Sequence, residues 1–384
     1  MRRQLVVALV GLGSLVGGRA EGQRNEYWLT RLGNDTVAFE RTVRSDGRLE
    51  GEFVVITPRV RINTYLVLFN ADGTVRRYEY SSKAGLDGPG AAPPATAVTE
   101  MEGAAMRVIV TRGARTDTTR LTTSGHPLPT AFYSWGLFGL ATQAARGLRA
   151  DSVTIAQWSV GARAVASTAV VRRGDSMAVD FFGSPMMAKV DGDGRPTGVN
   201  GGRTTIKVMA ERVKRLDLAA LTAAFVARER SGQVAGPLST RDTAQVTVLG
   251  AQLWIDYGRP SRRGRQIFGG VIPYDQVWRT GANAATQFRT DRALGFGSTT
   301  IPAGTYTLWT VPTTRGVTLI FNTETGQWGT AHDPTKDLAR VGLDVERLDD
   351  AVERFAISVV EQGGVGELRF DWDHTRWVAR FKVQ

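Results

Sequence analysis

The stretch AQVTVLGAQLWIDYG, residues 244–258, decides the fold of the C-terminal part of the chain. Apolar and polar residues alternate along it, which is the period of a strand with one buried face. Working outward toward the C-terminus, strand-like runs return as ATQFRTD (285–291), GTYTLWTVP (304–312), VTLIFNTE (317–324), ERFAISVVEQ (353–362), VGELRFDWDH (365–374) and RWVARFKV (376–383). Turn residues separate these short runs, and no helical period intervenes. The expectation is an all-β domain over 243–384, a β-sandwich of jelly-roll-like type. Trp254, Trp309 and Trp372 fall inside strand patterns and are expected in its core.

Working outward toward the N-terminus, QVAGPLSTRD reads as a linker at 233–242. Before it, RLDLAALTAAFVARERSG (215–232) is the clearest helix, with Asp217 placed to cap its start and Gly232 past its end. Farther upstream the pattern is again strand-like. Runs are broken by GND and SDGR turns, and by Asp72-Gly73 at the bend of a hairpin. Strands are also expected near 153–160, 164–171, 177–182, 186–191 and 204–210. The segment 129–150 differs: Phe132, Trp135, Leu137, Phe138, Leu140 and Ala144 suit a short helix with one broad apolar face. Residues 21–232 are therefore expected to form an N-terminal β-rich domain, a curved antiparallel sheet or partial barrel with one or two helices, ending in the 215–232 helix. The DGDG of 191–194 resembles half of a calcium loop, but Arg195-Pro196 follows and no closing glutamate comes. A hairpin turn accounts for it.

Composition agrees with a mainly β, two-domain chain. The 384 residues exceed one ordinary core, and 44 glycines among many Thr and Val indicate a turn-rich β protein. There is no cysteine, which excludes disulfides, thiol catalysis and Cys-ligated zinc. The first residues, MRRQLVVALVGLGSLVGGRA, combine a basic start, a short apolar run and small residues. That is a signal-peptide pattern over 1–20, with cleavage near Ala20, and it predicts a periplasmic or secreted protein. No later run is long and apolar enough to span a membrane, so no transmembrane segment is expected in the mature chain. Net charge is +11, and residues 243–384 hold 16 Lys+Arg against 15 Asp+Glu, so the excess lies upstream. A basic N-terminal half can attract anionic polysaccharide or lipid headgroups. The stronger reading is a chain that uses Arg wherever it needs a cation, with no dense cluster beyond RRGR at 262–265. Export argues against nucleic acid.

The runs IDYGRPSRRGRQIFGGVIPYDQVWRTGANAAT, IPAGTYTLWTVP, LIFNTETGQWGTAHDPTKDLARV and VERFAISV stand in an order and spacing that resemble DUF2911, a family of exported bacterial proteins of unknown function. The resemblance covers about 244–359, and the N-terminal half is more distantly similar to the extension of longer members. It implies an exported β-sandwich. It brings no reaction, cofactor or catalytic residue.

Candidate ligand-binding residues gather in the same region. Gly258 and Pro260 place Tyr257 and Arg259 near a sheet end. Arg279 is either a corner pin on a backbone carbonyl or a fork for a carboxylate, phosphate or sugar hydroxyl. Asn283 either shapes a turn or offers its amide to a ligand. Trp328, between Gly326 and Gly329, is the candidate platform for a sugar ring. His332-Asp333 is one of two local acid–imidazole pairs. No HExxH, nucleophile elbow or phosphate loop is present, so no catalytic residue, metal ligand or cofactor is assigned. The preferred expectation is a non-catalytic binding or scaffolding protein, with a glycan or other small polar ligand on the C-terminal domain. One alternative is a carrier of a lipid or hydrophobic molecule in the N-terminal domain. Another is a hydrolase with a site near His332 and Arg279. Oligomeric state is not readable from the sequence.

Overall fold

A computed structural model describes residues 23–86, 92–123, 125–148, 150–181, 184–233 and 236–384, so the leader expected at 1–20 lies outside the described residues. The chain is mainly β, with two large sheets, neither closed, and two helices. It divides into two compact units, Met1–Gly236 and Pro237–Gln384.

In the first unit, eight strands form an antiparallel meander from Arg24–Leu32 to Arg115–Thr122, each bonded to the next. Tight turns make this possible. At the expected bend, Gly73 takes φ +81° and Asp72 accepts from the Thr74 amide at 2.9 Å. The other edge of the first strand pairs with Met209–Val213, and from there the sheet runs back through six more strands to Leu128–Pro129, fifteen in all. One expected strand is displaced. The run 204–210 begins pairing only at Met209, because the buried Thr204 hydroxyl accepts from the Ile206 and Lys207 amides and holds a turn there.

Helix α1 (Trp135–Gly147) sits on one face of this sheet. Its start meets Thr30, Glu40 and Tyr65 of the meander, and its length meets Ser152–Trp158 and Ala166–Arg173. Nine strand spacings separate the two ends of that contact set. Flat, they would span about 43 Å at roughly 4.8 Å each, whereas thirteen helical residues reach only about 20 Å. The sheet must therefore curl around α1, giving the curved sheet expected of this half. Phe132, expected on the helix, precedes it and is 39% exposed.

Helix α2 (Leu218–Arg230) lies on the opposite face. Strand alternation sends Glu40 toward α1 and its neighbour Phe39 toward α2, where Phe39 stacks on Phe225 with ring centroids 6.0 Å apart. Asp217 caps α2 as expected, accepting from the Ala220 amide at 3.0 Å. Asp217→Ala is expected to cost the first unit about 1 kcal/mol, read as a lowered urea midpoint.

The second unit is one nine-stranded sheet folded over on itself. Ser239–Val248 and Ala251–Pro260 form a hairpin whose turn residues, Leu249 and Gly250, both take positive φ. The 26-residue strand Asp337–Gln362 joins the layers: its start pairs with Val317–Asn322, its remainder with Val365–Val383. Leu253, Ile255 and Tyr257 then share one core with Phe355, Ile357, Phe370 and Trp372. This is the sandwich the alternation predicts. Trp372 is buried in it. Trp309 is buried too, but outside that core, in a small cluster with Ala285 and Ile320, because it alternates with Leu308, which faces the core. Trp254 is half-buried. Trp254 alternates with Leu253 and Ile255, so it faces outward, beneath the Arg289 guanidinium.

Candidate functional site

Residues 277–286 owe their path to two glycines. Gly258 and Gly281 lie against each other, and a methyl on Gly258 would overlap the Ala282 backbone. The segment is tied to the next strand by reciprocal amide bonds between Trp278 and Thr310, at 2.7 and 2.8 Å. Trp278 turns inward, onto Trp372 and Phe355. Arg279, one residue on, turns to the other side, onto the loop that carries Gly329.

The six candidate residues separate into two groups. Tyr257 is buried, edge-on to Phe355, with its hydroxyl 3.4 Å from the Ile357 carbonyl. Arg259 donates to the Phe355 carbonyl and to Asp242, at 3.1 and 2.9 Å. Both fix the closure of the sandwich. Arg279, Asn283, Trp328 and His332 converge elsewhere, where the loop 323–333 covers Trp309, Ile320 and Ala285. Asn283 has φ +64°, its carbonyl accepts from the Gly329 amide at 3.1 Å, and the residue is exposed. Trp328, paired with Ala284, is 51% exposed.

Arg279 Nη1 donates to the Gly329 carbonyl at 3.3 Å, a contact of the pinning kind. Its Nε, the Trp309 indole N–H and the Gln327 amide nitrogen are buried without partners. Burial alone pushes the Arg279 guanidinium below its usual pKa. His332 rests on the Trp309 ring with centroids 4.9 Å apart, and its Nε2 is 2.8 Å from Asp337. Burial pushes the Asp337 carboxyl up, but bonds from Asn322, His332 and Arg340 outweigh that and hold it below the usual range. The imidazole is thus one member of a closed structural network. Among the described residues no cluster of His, Asp and Glu is arranged to hold a metal ion, and no helix is long and apolar enough to cross a membrane. The DGDG segment is a hairpin turn, with Asp191 accepting from the Asp193 and Arg195 amides.

Two features of the first unit escape sequence reasoning. Glu40 is fully buried at the start of α1 and takes four donors: the Tyr65 and Ser134 hydroxyls and the Trp135 and Gly136 amides, at 2.6–3.2 Å. Burial pushes it up to about 7, against the pull of those bonds. The second feature is a cavity of about 330 Å³, walled by three meander strands and by segments 130–132 and 159–160. Tyr78, Tyr80, Val110 and Arg112 line it.

Residues 239–381 match the family model described as protein of unknown function (DUF2911), a longer stretch at both ends than the resemblance at 244–359. No curated protein matches the chain.

Proposed function

We propose, from a second unit that matches a family with no assigned chemistry, that the protein is an exported, non-catalytic binding protein. Its second unit would hold a sugar, or a similar small polar ligand, against Trp328. The observation that supports this is a large aromatic ring left half in water on a turn that is not free to move. Burying such a ring is strongly favourable, yet here the surrounding backbone bonds hold it out. The Gly329 amide is bonded to Asn283, the Ala285 amide to the Gln327 carbonyl, and Arg279 to the Gly329 carbonyl. Arg279 is therefore a positioning residue. Trp328 offers its face to the C–H face of a sugar ring, and the exposed Asn283 on the neighbouring segment brings an amide able to donate and accept. Export is supported by the leader pattern at 1–20. A hydrolase near His332 has less support, because that imidazole is engaged by Asp337 and lies against Trp309.

Trp328→Ala is expected to weaken retention on an immobilised polysaccharide array about tenfold or more, with an unchanged thermal midpoint. Trp328→Phe should keep part of the retention. Retention that is absent in the parent protein, or equal in the alanine variant, overturns the proposal.

A further inference from the structure

We infer that the cavity of the first unit binds an amphipathic carboxylate: an acid group held by Arg112, an apolar body, and a hydrogen-bonding oxygen at the far end. This goes beyond the sugar reading of the second unit and does not depend on it.

The meander builds the cavity in layers. Tyr78, Tyr80 and Ser82 are alternate residues of one strand and so share a face. In register, Tyr78 stands opposite Thr99 and then Val108, and Tyr80 opposite Ala97 and then Val110. The layer of Tyr78 and Thr99 is the deep one: both residues are at most 1% exposed. Arg112, two residues beyond Val110, is exposed to solvent. Between these ends Tyr80 and Val110 face Phe132 and Val160 of the opposite wall. The volume of about 330 Å³ lies within the range of small-molecule sites.

Each end lacks a partner that the protein itself could have supplied. At the deep end the hydroxyl of Tyr78, which lines the cavity, is buried and unbonded among the described residues. Behind the lining, so are the Thr99 hydroxyl and the indole N–H of Trp158, which packs edge-on to Tyr78. Buried polar groups left unpaired are rare and call for an explanation. Tyr80, on the same strand, shows the ordinary solution, with its hydroxyl bonded to Asn63 at 2.8 Å. Elsewhere on the meander, Arg77, Arg107, Arg115 and Arg120 each bond a carboxylate. Arg112 has no such partner among the described residues, and its register neighbour is Arg115, a like charge. Its guanidinium lies beside Gly161, which brings no side chain against it.

These ends define the ligand. A free guanidinium at the mouth selects a carboxylate, with two parallel bonds available. The tyrosine, valine and phenylalanine midsection selects an apolar body and excludes a strongly hydrated one. The unpaired Tyr78 hydroxyl at the deep end selects an oxygen that can accept from it. Four residues of strand separate Tyr78 from Ser82 at the rim, about 13 Å, which an extended medium-chain ω-hydroxy acid spans.

The test is calorimetric titration of the full chain with 10-hydroxydecanoate, decanoate and 1-decanol. The expected order of affinity is 10-hydroxydecanoate, then decanoate, then the alcohol. Arg112→Ala should weaken both acids about tenfold or more, the loss of one charge-assisted pair, and leave the alcohol unchanged. Tyr78→Phe removes a hydroxyl that bonds nothing among the described residues, so the variant should fold normally. It should also bind the hydroxy acid no better than decanoate. The inference is overturned if neither acid binds, if Arg112→Ala leaves the acids unaffected, or if Tyr78→Phe retains the preference for the hydroxy acid.

Discussion

Glu40→Ala is expected to lower the unfolding free energy of the first unit by about 4 kcal/mol. The substitution deletes the acceptor of the Trp135 and Gly136 amides in this buried helix start and leaves a void under α1. Glu40→Gln should behave very differently. Oε2 receives two amides, which can only donate, but Oε1 receives two hydroxyls, which can also accept. A glutamine with its oxygen toward the amides and its nitrogen toward Tyr65 and Ser134 satisfies all four partners. It imitates the protonated acid.

That likeness sets a pH dependence. Burial raises Glu40 from 4.5 to about 7 in the folded chain. Between those values the native state keeps a proton that the unfolded state releases, so stability falls as pH rises. The contribution is complete below 4.5 and is lost as pH passes 7, a total of about 3 kcal/mol. Hydrogen-exchange protection of peptides from α1 should therefore decline between pH 4.5 and 7 in the parent protein, after correction for intrinsic exchange. It should stay level in Glu40→Gln, which becomes the more stable of the two at pH 8. A parent profile that is level over this window would refute the raised pKa.

Glu40 also shows where the sequence stops being legible. In TVAFERTV it occupies a position that reads as solvent-facing, yet both faces of its strand are covered, one by each helix. Three of its four partners stand 94 to 96 residues away and the fourth, Tyr65, 25, beyond any local pattern. Asp217 was legible because a cap needs only its own next turn. Tyr257 carried its fate in its alternation with Leu253 and Ile255. The convergence of Arg279, Asn283, Trp328 and His332 was half legible: glycines marked both turns, but only backbone pairing between 283–285 and 327–329 brings them together. The cavity left no trace, since Tyr78 and Arg112 read as ordinary strand residues until the meander sets them on one wall.

Gly258→Ala should be as damaging to the second unit as Glu40→Ala is to the first. In an unobstructed strand the change would gain about 0.4–1 kcal/mol by restricting the unfolded chain. Here the new methyl meets the nitrogen, carbon and oxygen of the Ala282 backbone, and overpacking costs up to about 3 kcal/mol or more when neighbours resist. They do resist. Residues 279–286 are held by the Trp278–Thr310 pair, by the Thr286 hydroxyl on the Thr280 carbonyl at 2.7 Å, and by Gly329 on Asn283. The strain is relieved only by lifting this segment, and the Trp328 turn is bonded to it. Gly258→Ala is therefore expected to lower the thermal midpoint and to abolish polysaccharide retention together. Gly342→Ala is the control, because a methyl there meets nothing within 4 Å. If the two variants melt alike, the close approach of Gly258 and Gly281 does not set the path of the segment, and the placement of Trp328 needs another cause.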